Sequence, residues 1–524
     1  MNFNEVKNWQ FIRDACDPFW VDFSNATDRA IAVQRSRLHD LLTRNQTTEI
    51  GRRYGFGTIA DDRDYRDRVP IHTYEDLAEA IARMAAGETG VLCADEAIAV
   101  EVTGGSTSGS KLIPYTRGSL AAFQRALFPW LANLLAHRPG IACGPTYWAI
   151  SPIARPQSPT VGPVTLPTGN DALYFGDRLA PHIVQLLAVP PQIAAIAAID
   201  RWRYLTALYL LASPQLALIS VWSPTFLLEL LAEIEGNGDR LVRDLARGTT
   251  VPGLPPLPPN PERAHLVSRS LASGAIDTRQ LWPQLDTISC WTDASAAAFV
   301  RSLQGAFPHV WIQGKGLLAT EAAVTIPIAG CPSPVLAVES GFYEFIGEDG
   351  RSRLVHEVES GGVYRVVVTT DGGLYRYDLG DRVRVTGWYG QAPQLEFIGR
   401  AGLVSDLCGE KLTEAFVWAQ LQPLHPGGFA MLTPCLRDRP HYILFLDEAA
   451  GDRAADLARD LDRALQTNPQ YRYARQLGQL APPVARCVSR PMEKYIEYAL
   501  ERGQRLGDIK PPVLRPETDW GDRL

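Results

Sequence analysis

From Tyr204 to Leu228 the chain runs 25 residues without a charged side chain. A stretch so long and apolar has two physical homes, the hydrocarbon of a bilayer or the centre of a protein large enough to bury it. Its punctuation decides between them. Pro214 and Pro224 divide it into a helix-length run (YLTALYLLA), a turn (SPQ), a strand-length run (LALISV) and a second helix opening at Ser223-Pro224. Proline lacks a backbone donor and ends regular structure, whereas a spanning helix needs about 20 predominantly apolar residues in one run. Helix, strand and helix buried together predict the interior of an α/β domain, and no membrane partner.

Around that core the texture changes twice. The first hundred residues read as helical, with Thr73 to Gly87 (TYEDLAEAIARMAAG) the clearest case: Thr73 caps, Glu75 and Asp76 fill the first turn, Gly87 stops it. Ser119 to His137 is a second apolar helix, kinked at Pro129. Val251 to Ala264, VPGLPPLPPNPERA, is too rich in proline for regular structure and predicts a surface excursion. From Asp286 short strands dominate: TISCWT, HVWIQG, VTIPIA, VLAVES, YEFIG, VYRVVVTT, DRVRVTGW and LEFIG. Beyond Leu403 a smaller unit follows, with helices at Ala454–Leu465 and Met492–Arg502 around the strand HYILFLD. The glycine-flanked step Gly399–Leu403 (GRAGL) is a natural swivel, so we place a domain boundary there: 1–400 and 401–524. The expected class is α/β (α+β), a large amino-terminal domain of sheets with flanking helices and a small carboxy-terminal α+β domain.

With 524 residues, a net charge of −7 and a pI near 5.8, the chain offers no basic face for nucleic acid. Its eight cysteines stand singly and no histidine pair has zinc-site spacing, which fits a reduced, cytoplasmic setting. Of 51 basic residues only six are lysine, namely Lys7, Lys111, Lys315, Lys411, Lys494 and Lys510. A compact ammonium approaches a single oxygen in a way a planar guanidinium cannot mimic, so these positions draw attention.

Four segments hold most of the chemistry-capable residues. GGSTSGSK, Gly104 to Lys111, nearly matches the P-loop G-x-x-x-x-G-K-[ST], but Ser110 stands at the lysine position and Leu112 follows Lys111. No serine in it is centred in G-x-S-x-G. Its exposed N–H groups, hydroxyls and lysine still suit an anion. In GKGLLATE, Gly314 to Glu321, Thr320 offers a hydroxyl and Glu321 a carboxylate of the kind Mg2+ takes alongside phosphate oxygens. In LYRYDLGDRVRVTGW, Asp381 follows Gly380 in an apparent turn before a strand, where it could grip ribose hydroxyls or merely cap the turn. In RLGDIKPPV, Lys510 precedes two prolines on a stiff, extended piece near the carboxyl terminus.

Any one of these alone is weak; their order is specific. With DYRDRVPIHTYEDLAEAIARMAAGETG, YWAISP, LALISVWSPTFL, WTDASAAAF, APQLEFIGR and EYALERGQRLGDIKPP, the chain resembles the adenylate-forming superfamily over nearly its whole length. Within it, the chain looks most like the auxin-responsive promoter family of acyl-acid amido synthetases and its bacterial relatives. That resemblance implies a ligase that converts a small-molecule carboxylic acid and ATP to an acyl-adenylate, then passes the acyl group to an amine, an amino acid by preference. It implies that Ser106, Thr107, Ser108, Gly109 and Lys111 hold the departing phosphates, Thr320 the α-phosphate and Glu321 the Mg2+. Asp381 would hold the ribose with Arg400 nearby, and Lys510, carried by the small mobile domain, would bridge carboxylate and α-phosphate. Lys411 could enter the cleft in a second conformation.

The sequence departs from that pattern in places. One residue fewer separates the last glycine of the loop from Lys111. Leu318 and Ala319 stand where relatives stack an aromatic residue on adenine, and Gly402 replaces a polar hinge residue. Phe123, Tyr147, Trp148, Tyr174 and Trp222 are candidates for an acyl pocket or for ordinary core. Two rival readings stay open: an acyl-CoA ligase using coenzyme A as acceptor, and a nucleotide-binding protein without catalysis. The presence of Lys111, Glu321, Asp381 and Lys510 together argues against the second.

Overall fold

The computed structural model describes residues 3–103, 111–148, 174–272, 276–400, 403–407, 410–437, 439–476, 479–502, 504, 506 and 509–524. The uncharged stretch lies where burial demands. The helix Ile199–Ala212, the strand Leu218–Ser220 and the helix Pro224–Gly236, capped by the Ser223 hydroxyl on Thr225 N, follow one another. That strand is second in a four-stranded parallel sheet ordered Thr146–Trp148, Leu218–Ser220, Thr287–Cys290 and Trp311–Gly314. Among the described residues no helix is long and apolar enough to cross a membrane.

A second sheet of seven antiparallel strands supplies the other wall. Its spatial order is Ser352–Arg353, Phe342–Ile346, Val363–Thr369, Tyr377–Tyr389, Ala392–Arg400, Val335–Leu336 and Thr325–Ile326. The amino-terminal helices Phe3–Thr27 and Ala30–Asn45 pack on it in one apolar core together with Arg117–His137, whose Pro129 sits inside the helix. Tyr74–Ala85 starts where the sequence places its cap: the Thr73 N–H and hydroxyl both donate to Asp76 Oδ2, at 2.8 and 2.9 Å.

Two buried ionic ties hold these layers in register. Asp371, in the turn TDGG, accepts from Arg44 at 3.1 Å and Arg125 at 3.3 Å, and also from Arg37, so it joins two helices to one turn. Arg376 pairs with Glu344 through two hydrogen bonds, at 3.0 and 2.9 Å, and donates to the carbonyls of Arg66 (2.7 Å) and Val69 (2.6 Å). It does so from a left-handed backbone, φ 45°.

The carboxy-terminal unit has its own three-stranded sheet, Ala430–Cys435, His441–Asp447 and Val484–Val488, and its own core under the helix Ala454–Leu465. Its other face is not free. Met492, Ile496, Leu506, Ile509 and Trp520 join the same core as Trp202 and Phe226 of the large body. Two expectations need correcting. The proline-rich excursion ends at Asn260, because Pro261 opens the helix Pro261–Ala272, where its missing N–H costs nothing. Asp381 lies within the strand Tyr377–Tyr389, not after a turn; Gly380, at φ +73°, lets the strand bulge there and keep pairing.

Candidate functional site

A cleft of about 290 Å³ opens between the large body and the carboxy-terminal unit. Thr320, Glu321, Asp381 and Arg400 face it from one side, and Lys510 and Glu414 from the other. Residues nearly 200 positions apart therefore meet in one space.

Each side chain is placed by local structure. Thr320 and Glu321 form the tip of a tight hairpin, closed by Ala319 N–H donating to the Ala322 carbonyl at 3.0 Å and by pairing of Leu318 with Ala323. The Tyr115 hydroxyl pins the tip by donating to the Thr320 carbonyl at 2.7 Å. Asp381 and Arg400 are directly opposite each other on adjacent antiparallel strands, and their side chains approach to 3.6 Å. Arg400 Nη2 also donates to the Leu379 carbonyl at 3.1 Å, which fixes the guanidinium over the cleft wall.

The electrostatics follow from that crowding. Burial raises the Asp381 carboxyl above its ordinary value, while the charges of Arg400 and Lys510 pull it back down. Burial likewise raises Glu321, opposed by Arg400 and Lys111 and reinforced by the like charge of Asp381. Two partly desolvated acids thus share one arginine, with a lysine on either flank.

Lys510 lies over Trp291, its ammonium 4.8 Å from the ring centroid, and 5.5 Å from that of Phe397. The faces of the two rings attract the ammonium by cation–π interaction. Lys111 opens the strand Lys111–Thr116, paired with Ala97–Thr103, so the two strands bracket residues 104–110. Its ammonium sits 5.1 Å from the Tyr74 ring. Ser106, Thr107, Ser108, Gly109 and Gly402, at the expected hinge, lie outside the described residues.

Among the described residues no cluster of three or more His, Cys, Asp or Glu could hold a metal unaided. Glu321 beside a phosphate would instead supply the single carboxylate that Mg2+ accepts when phosphate oxygens and water complete its shell. The donor set therefore fits.

Sequence reasoning missed several groups in the cleft. Glu101, buried in the strand before the glycine loop, accepts from the Tyr174 hydroxyl at 3.2 Å. A lone acid in the apolar run AIAVEV was its signal. Trp291 and Phe397 gave none, because a seat for a distant lysine has no local pattern. Of the aromatic candidates, Phe123, Tyr174 and Trp222 face the cleft, Trp148 lines a smaller cavity beside it, and Tyr147 is fully buried core.

Comparison with known proteins adds the context. Models of the GH3 family match the chain in three pieces: the GH3 family N-terminal domain over residues 21–312, the central domain over 334–400 and the C-terminal domain over 417–518. The chain is 25% identical to an indole-3-acetic acid-amido synthetase, GH3.8, of Oryza sativa subsp. indica, over 93% of this chain and 88% of that protein. It is 27% identical to indole-3-acetic acid-amido synthetase GH3.15 of Arabidopsis thaliana, over 73% and 70% respectively. Among solved structures, the acyl acid amido synthetase GH3.15 in complex with 2,4-DB shares the fold with a TM-score of 0.84 at 20% identity, covering 97% of this chain and 95% of that one. A 2-hydroxyisobutyryl-CoA ligase in the postadenylation state shares it at a TM-score of 0.54 and 14% identity, covering 91% and 93%.

Proposed function

The chain belongs to the GH3 family, and on that premise we propose that it is an ATP-dependent ligase joining a carboxylic acid to an amine through an acyl-adenylate. A carboxylate resists nucleophiles because its own charge makes its carbon a poor electrophile. Its oxygen attacks the α-phosphorus of ATP, the new O–P bond forms and pyrophosphate leaves. An amine then attacks the carbonyl carbon, AMP departs and the amine loses a proton. No protein nucleophile is needed, so the protein contributes position and charge.

The roles we assign follow the cleft. Asp381 accepts from the ribose hydroxyls with Arg400 holding its carboxylate, and Thr320 donates to the α-phosphate. Ser106, Thr107, Ser108, Gly109 and Lys111 take the departing phosphates. Glu321 would hold Mg2+, which neutralises phosphate charge when bound. Lys510 moves from its Trp291 seat to lie between the carboxylate and the α-phosphate. Adenine rests on apolar contact with Leu318, which lines the cleft. Residues 401–524 act as the mobile body that carries Lys510, swinging about Gly399–Leu403, with Lys411 available to the cleft after rotation.

The observation that carries this reading is the meeting of Lys510 with Thr320, Glu321, Asp381 and Arg400 in one cleft. The test is ATP–pyrophosphate exchange across a panel of carboxylic acids, followed by mass spectrometry of products with free amino acids or with coenzyme A. Acid-dependent exchange and an amide product are expected. Exchange followed only by a thioester transfers the reading to an acyl-CoA ligase; absence of exchange with every acid overturns it.

A further inference from the structure

Lys315 is only 7% exposed, yet its charge serves none of the steps above. It follows the strand Trp311–Gly314, and its ammonium donates to the Ser220 hydroxyl at 2.7 Å. Three tryptophans surround it, with ring centroids at 5.1 Å (Trp222), 5.8 Å (Trp130) and 6.0 Å (Trp148). Trp130 is itself fixed, its indole N–H donating to Gln313 Oε1 at 3.0 Å. These groups line a cavity of about 50 Å³, apolar apart from Lys315 and Ser220. Phe123, Tyr174, Trp222 and Leu318 border both this cavity and the main cleft, so it is an annex of the cleft.

Its position in the fold is equally telling. Trp148 and Ser220 end their strands and Lys315 follows directly on Gly314, so all three stand at the carboxyl ends of parallel strands. That edge of an α/β sheet is where ligands bind. Trp148, 7% exposed, also keeps its indole N–H without a hydrogen-bond partner among the described residues.

We propose that the annex receives the far end of the acyl substrate and that Lys315 selects acids whose tail ends in an oxygen acceptor, such as a hydroxyl or keto group. The inference rests on the adenylation reading for what occupies the cleft. The aromatic walls accept a flat tail by apolar contact. A tail ending in hydrocarbon, pressed against the ammonium, excludes water from a charge and returns nothing. An oxygen acceptor returns a charge-assisted hydrogen bond. Arginine cannot take this role, because a planar fork will not fit where, among the described residues, a compact ammonium meets the Ser220 hydroxyl and three rings.

Trp130, Trp148 and Trp222 are built-in reporters, so binding can be read by tryptophan fluorescence on the full chain without ATP. The probes are phenylacetate and phenylpropanoate, each beside its para-hydroxy analogue. The hydroxylated member of at least one pair should bind about 10- to 100-fold more tightly, the worth of one hydrogen bond to a charged group. Lys315→Met should abolish that difference without weakening the plain acid, and Lys315→Arg should not restore it. Equal affinity within both pairs, no binding by either hydroxylated acid, or discrimination surviving in Lys315→Met overturns the proposal. Should circular dichroism show Lys315→Met unfolded, the wild-type pairs decide alone. Pyrophosphate exchange with the same acids separates the two readings. Acids that bind with discrimination yet never support exchange sink adenylation only; acids that support exchange but bind without discrimination sink the annex only.

Discussion

Burial raises both Asp381 and Glu321 above their ordinary values, and the roles proposed for them, ribose and Mg2+ binding, need the ionised form. The sign of the pH effect follows. As pH falls through a raised pKa the ionised fraction is lost, so the KM for ATP should rise at a pH above the range where exposed carboxylates titrate. Because the charge of Asp381 helps hold Glu321 up, Asp381→Asn should move the remaining limb of the profile to lower pH, besides raising KM about 10- to 100-fold for loss of the proposed ribose contact. A KM profile for ATP, measured on both forms, checks both points; an unshifted limb would show that the two acids do not sense each other. Elsewhere, Arg376 and Glu344 form a pair only 7% and 1% exposed in their side chains, and the arginine also serves two carbonyls that end the helix Asp62–Arg68. Glu344→Ala leaves that guanidinium buried and uncompensated, and should cost about 3–5 kcal/mol in a urea titration. The sequence displayed Arg376 inside YRYD but not its task, since the task is defined by residues more than 30 and 300 positions away. Thr320, Glu321, Asp381 and Lys510 were singled out by the order of their segments, each weak alone, and the structure gathers these four in one cleft, while Lys111 sits beside Tyr74.

Elements were more legible than the pairing between them. Thr73 and Ser223 announce helix starts through local hydrogen bonds, and those helices begin where the caps stand, whereas Thr116 caps the helix Arg117–His137 two residues ahead of its expected start at Ser119. Strand order is another matter. Val335–Leu336 and Thr325–Ile326 are two-residue strands at one edge of the seven-stranded sheet, beside Ala392–Arg400, and nothing in their composition specifies that neighbour. The bulge that turns Asp381 toward Arg400 is likewise a product of register, visible only once Tyr377–Tyr389 is paired on both sides. His72 shows how a loop residue can fasten an element. Its N–H donates to the Arg376 carbonyl and its carbonyl accepts from Asp378 N–H, each at 2.9 Å, so it extends the sheet by one bridge. Its ring lies 2.7 Å from the Tyr375 carbonyl and 3.1 Å from the Tyr54 hydroxyl, and burial lowers its pKa. The folded protein therefore resists a proton that the unfolded chain accepts below about pH 6.5. The stability from the neutral ring is fully present above that pH and is lost as pH falls toward the lower folded value. Chemical denaturation between pH 7.5 and 5 should show a steeper decline in the natural protein than in His72→Gln; parallel slopes would assign the acid sensitivity to other groups.

At the scale of the whole molecule two observations oppose each other. The carboxy-terminal unit shares an apolar core with Trp202 and Phe226, which holds it against the large body and keeps Lys510 in the cleft. The two half-reactions nevertheless need different occupants beside the reacting carbonyl, so that contact has to be exchangeable. Gly399 is where the chain can absorb such a change. It adopts φ +126°, a conformation closed to residues with a side chain, although a Cβ built there would meet Ala415 Cβ at 3.5 Å, an ordinary contact. Gly399→Ala is thus penalised by backbone conformation and not by collision, at about 1–3 kcal/mol against the arrangement that places Lys510 in the cleft. Lys510→Ala removes the charge and leaves the arrangement. Adenylation should slow about 10²- to 10³-fold in Lys510→Ala, the scale for losing one preorganised donor. Gly399→Ala should slow it by the smaller factor its conformational cost allows. Neither should slow reaction of a supplied acyl-adenylate with an amine, because in the proposed cycle that step uses the rotated state. Pyrophosphate exchange and single-turnover aminolysis, run side by side on the two variants, separate these effects. If Gly399→Ala slows both half-reactions equally, Gly399 is a structural turn and the swivel lies elsewhere. If Lys510→Ala leaves exchange unchanged, the lysine on its tryptophan seat is not the group that joins acid to phosphorus.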